Sequence, residues 1–223
     1  MFPIKDHNPS HKTPFITLLI IAAASYIFFL QLGSADPELF VFIYGLVPEK
    51  FNLTDYSTWM PLFTSMFLHG GWLHIISNMW FLWIFGDNVE ATLGHVKYLL
   101  FYLISGLVAG LTQYFLAPTS GIPMIGASGA IAGVLGGYLV LFPHAKIETL
   151  VMGFGFYTTT VNVSAQFMLF YWFIMQLFSG VGSVASGLHN QGGVAFFAHV
   201  GGFVAGWLMM QFLKPIINSR RIE

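Results

Sequence analysis

Apolar residues dominate the chain in four long runs that contain no Asp, Glu, Lys or Arg. The runs cover residues 13–35, 56–86, 98–145 and 149–213. A helix that crosses the hydrocarbon core of a bilayer needs about 20 apolar residues. The first two runs therefore hold one spanning helix each, and the last two are long enough for two helices each. The pattern predicts a polytopic, all-α membrane protein.

Turn signals divide the two longest runs. Two prolines and a glycine interrupt the third run at 117–123, and a Gly- and Ser-rich segment interrupts the fourth at 179–193. Residues 149–163 are apolar but short, β-branched and broken by glycine, so we interpret them as an interfacial or partly embedded connection. The predicted helices are six, over residues 14–32, 60–86, 97–116, 126–142, 164–180 and 194–213.

Composition supports this interpretation and excludes several classes of protein. Of 223 residues, 56% are hydrophobic and 8% are charged, and the mean hydropathy is +0.74. Soluble domains carry about 25% charged residues. A net charge of −1 gives no electrostatic footprint for nucleic acid, and 24 Phe residues argue against disorder. The chain has no Cys, which excludes disulfides and thiolate chemistry.

The basic residues fall mostly on one side of the predicted bundle. With six helices, both termini share one side with the connections between helices 2 and 3 and helices 4 and 5. The opposite side holds Lys50. The positive-inside rule therefore predicts cytoplasmic termini and a multi-pass protein of the cell (inner) membrane. We expect residues 1–223 to form a single membrane domain with short cytoplasmic tails. The basic residues on the terminal side are Lys5, Lys12, Lys97, Lys146, Lys214, Arg220 and Arg221.

Polar side chains inside a membrane bundle are costly, so each is a functional candidate. His74 and Asn78 are four residues apart and share one face of helix 2, which also carries His69. Ser128 lies near the start of helix 4, and His199 lies near the start of helix 6. The starts of helices 4 and 6 both face outward. The polar residues of helix 2 lie 9–18 positions along that helix, so it must project beyond the bilayer if they are to lie at the same depth as Ser128 and His199.

Glycines at four-residue spacing predict close packing of the helices that carry these groups. Helix 4 has Gly129, Gly133 and Gly137, and helix 6 has Gly202 and Gly206. Such stripes let two backbones approach closely. We therefore expect helices 4 and 6 to touch just below Ser128 and His199, which would bring the two side chains within hydrogen-bond reach. A serine beside an imidazole base is the minimum nucleophilic pair.

Simpler explanations exist for each polar residue. A serine between glycines often serves only for packing, and a histidine in a membrane helix can bond a neighbour or line a polar path. His69 and His74 could be metal ligands, but the H-E-x-x-H pattern is absent, so we expect no metal and no cofactor. The remaining histidines fall in predicted tails or loops, where we expect solvation: His7, His11, His95, His144 and His189.

The combination of motifs resembles the rhomboid intramembrane serine proteases, in their compact six-helix bacterial form. The resemblance covers residues 14–213 and rests on Gly126-Ala127-Ser128-Gly129, on His199 with Gly202 and Gly206, and on His69…His74…Asn78. It implies that Ser128 is the nucleophile and that His199 is its general base. It also implies an oxyanion hole formed by His74, Asn78 and the Ser128 backbone N–H.

The resemblance assigns supporting roles to His69, near the site, and to Glu90, which would tie a helix to a loop on the cytoplasmic side. The sequence departs from the family at two positions. Met60 follows Trp59 where the family often has Arg, and Ala132 stands where some members place an aromatic ring against the histidine. Another side chain must therefore orient His199, and we expect a nearby phenylalanine.

The sequence thus predicts a serine endopeptidase that cleaves single-span membrane proteins in the lipid bilayer through a Ser-His dyad. With so few carboxylates in the helices, a Ser-His-Asp triad is not expected. We expect segment 180–193 to cap the site. Two alternatives stay open: a non-catalytic rhomboid-like protein that binds membrane clients, and a small channel or transporter with a histidine proton path. The sequence does not indicate the oligomeric state.

Overall fold

The computed structural model describes residues 2–8, 10, 12–152, 158–185 and 195–219, most of which are helical. A small antiparallel sheet accompanies the helices. The helices are α1 (Phe15–Leu32), α2 (Pro37–Tyr44), α3 (Met60–Thr64), α4 (Trp72–Leu93), α5 (His95–Leu116), α6 (Ser128–Leu141), α7 (Ala165–Ala185) and α8 (Phe196–Ser219). The strands are β1 (Phe2–Asp6), β2 (Lys146–Met152) and β3 (Thr158–Ser164).

The predicted class, a polytopic helical membrane bundle, is confirmed. The six predicted helices correspond to α1, α4, α5, α6, α7 and α8. Within the described residues, four of them (α1, α5, α7 and α8) contain segments long and apolar enough to cross a bilayer. Helix α6 is apolar but has 14 residues. At about 1.5 Å per residue it is shorter than the hydrocarbon core. The number of six spans therefore stays a prediction.

The second predicted helix is not continuous, and this part of the prediction was wrong. Helix α3 ends at Thr64, a 3-10 turn covers Ser65–Phe67, and Leu68 is extended. Helix α4 starts only at Trp72, after Gly70 and Gly71. Two adjacent glycines are poor helix formers, which explains why the apolar run breaks there. The break places His69 before α4 and makes His74 the third residue of that helix.

The described parts of the segment 149–163, residues 149–152 and 158–163, lie in a sheet that the interpretation as an interfacial connection did not predict. Strand β2 pairs antiparallel with both β1 and β3, with Ile147 opposite Asp6 and Val163. Alternating β-branched residues, four of them Thr in β2 and β3, favour this conformation. The sheet joins the start of the chain to the connection between α6 and α7. It therefore belongs to the end of the bundle opposite the start of α6.

Strand β1 is fastened to the helices as well as to β2. The Trp80 indole N–H donates to the Pro3 carbonyl (2.8 Å). The Asp6 carboxylate accepts hydrogen bonds from the Tyr138 hydroxyl (2.8 Å) and the Asn88 amide (2.7 Å). Burial raises the pKa of the Asp6 carboxyl above its ordinary value, although the Tyr138 hydrogen bond acts in the opposite direction. The first residues of the chain thus hold α4 and α6 together.

The loop between α1 and α3 is anchored although Met60, and not an arginine, follows Trp59. Leu46 forms an antiparallel bridge with Met124, through hydrogen bonds of 3.0 and 2.8 Å. Leu46, Phe51 and Leu62 form a separate buried cluster. The Thr64 hydroxyl donates to the Tyr44 carbonyl (2.6 Å). Apolar burial and backbone pairing therefore hold this loop against α3 and the segment before α6.

Candidate active site

Ser128 is the first residue of α6, and the backbone before it turns sharply. Gly126 has a φ of +120°, which side-chain-bearing residues rarely adopt, and its N–H donates to the Ser65 carbonyl (2.9 Å). The turn sets Ser128 at the mouth of the bundle. The first amides of a helix have no partner within the helix, so the start of α6 offers backbone donors beside the Ser128 hydroxyl.

Glycines on α6 and α8 bring His199 to Ser128. A side chain on Gly202 would overlap the Gly129 carbonyl oxygen, and one on Gly206 would overlap that of Gly133. This leaves the two helices in backbone contact. His199, the fourth residue of α8, lies 2.7 Å from Ser128 through its Nε2 atom, which is within hydrogen-bond distance of Oγ.

Helix α7 contacts the other side of the His199 ring. The Nδ1 atom of His199 lies 2.8 Å from Oε1 of Gln176. The Trp172 ring packs on His199 with a centroid distance of 5.8 Å and an interplanar angle of 35°. The prediction that a phenylalanine orients His199 is therefore wrong. Trp172 packs on His199, and the nearby Phe203 packs against Trp172, with ring centroids 6.1 Å apart. The sequence signal was available: Gln176 is an amide in an apolar helix, where polar groups are costly.

His74 faces the same space as Ser128, and its tautomer follows from its hydrogen bond. Its Nδ1 atom accepts from the Gly70 N–H (3.1 Å), so the proton lies on Nε2. A Cβ atom on Gly126 would lie 2.7 Å from His74 Nε2 and 3.6 Å from Ser128 Oγ. The His74 Nε2–H is thus directed to the turn that carries Ser128. Its position at the start of α4 removes the depth mismatch that a continuous helix implied.

Asn78 and His69 flank His74. Asn78 is buried one turn further along α4, and its amide donates to the His74 carbonyl (2.8 Å), which leaves a second N–H on the same nitrogen. His69 is fully buried and packs edge-on against His74, with ring centroids 5.1 Å apart. Gln31 of α1 donates to the His69 carbonyl (2.9 Å). Among the described residues, neither ring nitrogen of His69 has a hydrogen-bond partner.

His74, Asn78, Ser128 and His199 line one cavity of about 660 Å³, whereas His69 is not among its lining residues. Its wall is mostly apolar, which lowers the local dielectric and strengthens any hydrogen bond made inside it. No cluster of three His, Cys, Asp or Glu residues that could hold a metal occurs in the part of the chain that the structure describes. The cavity is lined by residues that include Met66, His74, Asn78, Met124, Ser128 and His199.

Glu90 lies far from the cavity, in the last turn of α4, and joins this helix to α1. Its buried carboxylate accepts from the backbone N–H groups of Ile16 (2.7 Å) and Thr17 (2.8 Å) and from the Thr17 hydroxyl (2.7 Å). His95 was predicted in a solvated loop, but it is the first residue of α5, and its Nδ1 lies 2.6 Å from Glu90. Glu90 thus supplies the acceptor for the start of α1.

His7 and His144 are exposed. The predicted positions of His11 and His189, and most of the predicted cap at 180–193, lie outside the described residues.

Comparisons with known proteins agree with the motifs. The Rhomboid domain family matches residues 56–215. The chain is 30% identical over 198 residues to the rhomboid protease GluP of Bacillus subtilis, covering 87% of this chain and 34% of GluP. It is 27% identical over 195 residues to the chloroplastic Rhomboid-like protein 11 of Arabidopsis thaliana, covering 84% and 65%. Over 122 residues it is 31% identical to the rhomboid protease GlpG of Haemophilus influenzae, covering 54% and 59%. The chain thus spans between about a third and two thirds of these relatives.

Proposed function

Because the chain belongs to the rhomboid family, we propose that it is an intramembrane serine endopeptidase that hydrolyses peptide bonds in or near the membrane segments of other proteins. The observation that carries the proposal is the 2.7 Å distance from Ser128 Oγ to His199 Nε2. A serine hydroxyl is a weak nucleophile until an adjacent base accepts its proton, and this geometry supplies that base.

The reaction would proceed in two halves. Ser128 Oγ attacks the substrate carbonyl carbon while its proton passes to His199 Nε2, and the carbonyl oxygen becomes an oxyanion. The carbon–nitrogen bond then breaks as the imidazolium gives the proton to the leaving amine, which leaves an acyl group on Ser128. In the second half His199 removes a proton from water as the water oxygen attacks the acyl carbon. The bond between that carbon and Ser128 Oγ then breaks, the imidazolium returns the proton to Oγ, and the carboxylic acid product leaves.

The oxyanion needs donors that are fixed before the reaction begins. We assign this role to the Nε2–H of His74, the free amide N–H of Asn78 and the backbone N–H of Ser128. The bond from Gly70 to His74 Nδ1 supports this assignment, because it keeps the His74 proton on the nitrogen near Ser128. Removal of one such donor in a serine protease costs about 10²–10³ in kcat.

The proposed substrates are single-span membrane proteins. The site lies at one end of a helical bundle and within a mostly apolar cavity, which suits an extended apolar segment unwound from the end of a helix. Ser128 and His199 lie at the starts of α6 and α8. In the proposed orientation these helix starts face the outer surface, from which water would enter for the second half of the reaction.

Substitution of the dyad tests the proposal. We expect Ser128→Ala and His199→Ala to abolish cleavage of a panel of purified single-span substrates, with Ser57→Ala and His144→Ala as exposed controls that retain wild-type rates. A fluorophosphonate probe should label the wild type at Ser128 and leave Ser128→Ala unlabelled. Chelators should have no effect. Substrate binding without labelling or cleavage would contradict the proposal and favour a client-binding protein.

A further inference from the structure

We infer that Gln176 is a positioning residue for His199, so that the dyad is completed by a neutral amide in the place where soluble serine proteases use a carboxylate. The inference rests on the proposed function, since it concerns how the general base is held. It comes from a contact of α7, a helix in which the sequence motifs assign no functional residue.

The geometry places His199 between two partners on opposite ring nitrogens. Nε2 lies 2.7 Å from the Ser128 hydroxyl, and Nδ1 lies 2.8 Å from the Gln176 side-chain oxygen. For Nε2 to accept the serine proton it must be unprotonated, so a neutral ring must carry its proton on Nδ1. The Gln176 oxygen is an acceptor at that position. The amide therefore selects the tautomer in which His199 can act as a base.

A neutral acceptor suits this site better than a carboxylate. A carboxylate in an apolar membrane bundle is costly to bury. When His199 takes the serine proton, both its nitrogens carry hydrogen, and the Gln176 oxygen remains a good acceptor for Nδ1–H of the cation. Gln176 thus orients the ring in the resting enzyme and supports the charge that forms during the reaction, without burying a permanent charge.

Trp172 and Gln176 act from the same face of α7, because they are four residues apart. Trp172 packs on the His199 ring, and the hydrogen bond to Gln176 fixes the rotation of that ring about the Cβ–Cγ bond of His199. Together, these two contacts hold the His199 ring in the absence of the aromatic side chain that some family members carry at the position of Ala132. The orientation of the general base therefore depends on how α7 packs against α8.

Two substitutions at Gln176 separate positioning from simple packing. Gln176→Leu keeps the volume and removes the acceptor, and we expect kcat to fall about 10²-fold or more with little change in KM. The rate of fluorophosphonate labelling at Ser128 should fall in parallel. Gln166→Leu, an exposed glutamine at the start of the same helix, is the matched control and should retain wild-type kcat.

Gln176→Glu restores an acceptor and adds a charge. We expect kcat to recover to within about tenfold of the wild type, and the acid limb of the pH profile of kcat/KM to move to higher pH, because a carboxylate stabilises the protonated imidazole. His74 of α4 is the titratable group that acts electrostatically on His199, and it is unchanged in every variant.

The outcomes distinguish this inference from the proposed function. Two results would overturn the role of Gln176 and leave the proposed function intact. One is a wild-type kcat in Gln176→Leu. The other is equal loss of activity in both Gln176 variants, with no shift in the pH profile of the residual activity. Failure of the wild type to cleave substrates or label with the probe would instead overturn the proposed function. If Gln176→Leu is unstable in detergent, the pH profile of Gln176→Glu decides the question.

Discussion

Individual side chains at both ends of the bundle are held by backbone groups. Gly70 fixes the tautomer of His74, and the amides of Ile16 and Thr17 are satisfied by Glu90. Such hydrogen bonds contribute more to stability in a membrane protein than on a solvent-exposed surface, because an unpaired donor in the bilayer has no water molecule as an alternative acceptor. The same logic makes Gln176 informative, since an amide in an apolar helix needs a partner.

The carboxylate of Glu90 holds the start of α1. Glu90→Ala leaves the buried N–H groups of Ile16 and Thr17 without their acceptor, at about 1–3 kcal/mol for each unsatisfied group, whereas the Thr17 hydroxyl can still donate to Tyr98. We expect the free energy of unfolding, measured by SDS titration in detergent micelles, to fall by at least about 2 kcal/mol. Glu38→Ala, at an exposed position, should change it by no more than about 0.5 kcal/mol. Equal stability of the two variants would contradict the structural role of Glu90.

Whole elements divide the work of building the site. Helices α4, α6 and α8 each begin at the cavity and supply His74, Ser128 and His199, while α7 contacts the His199 ring through Trp172 and Gln176. The sequence predicted the starts of α6, α7 and α8 to within two residues, because apolar runs and turn signals mark them, but α7 and α8 end five and six residues beyond the predicted bounds. It did not predict the break before α4, since residues 56–86 carry no charge and are mostly apolar on both sides of the break. Nor did it predict the sheet, whose pairing joins segments about 140 residues apart.

Strand β1 is tied to α4 and α6 through the buried carboxyl group of Asp6. Burial raises the native pKa of Asp6, so the folded state binds a proton more tightly than the unfolded state, and stability is lost as pH rises through that window. Asp6→Asn keeps an acceptor for Tyr138 and removes the charge. We expect Asp6→Asn to melt at a higher temperature than the wild type at pH 7, with the charge-dependent part of the difference vanishing below about pH 3, where Asp is protonated in both states.

Asp6→Ala is the control for this effect, because it removes the hydrogen bonds as well as the charge. It should melt below Asp6→Asn at every pH. A difference between wild type and Asp6→Asn that does not vary with pH would show that the Asp6 charge does not oppose folding.

The cavity and the lysines Lys12 and Lys214 lie at opposite ends of the helical bundle. The cavity lies at the starts of α4, α6 and α8. Lys12 and Lys214 donate to carbonyl groups of Ala91 and Val140, near the opposite ends of α4 and α6. Together with the sheet, they mark the side that the positive-inside rule assigns to the cytoplasm. The proposed orientation therefore puts the cavity toward the outer surface.

The absence of native cysteine makes this orientation directly testable. Ser57→Cys in the outer loop and Thr160→Cys in β3 each introduce one thiol at an exposed position. A membrane-impermeant maleimide should label Ser57→Cys in intact cells and Thr160→Cys only after the membrane is opened. Labelling in the opposite order would invert the proposed topology, and permeabilised cells provide the control for thiol reactivity.

Hydropathy, charge and motif spacing are local properties of the chain. They were therefore enough to predict the membrane location, the helical class and the two residues of the proposed dyad. Tertiary structure decided where those residues meet. It placed His74 level with Ser128 by breaking a helix that looked continuous, and it supplied Trp172 and Gln176 from a helix that carries no motif. Contacts between elements depend on the packing of whole helices, and glycine stripes such as Gly129 with Gly202 indicate that packing without stating which third helix completes the site.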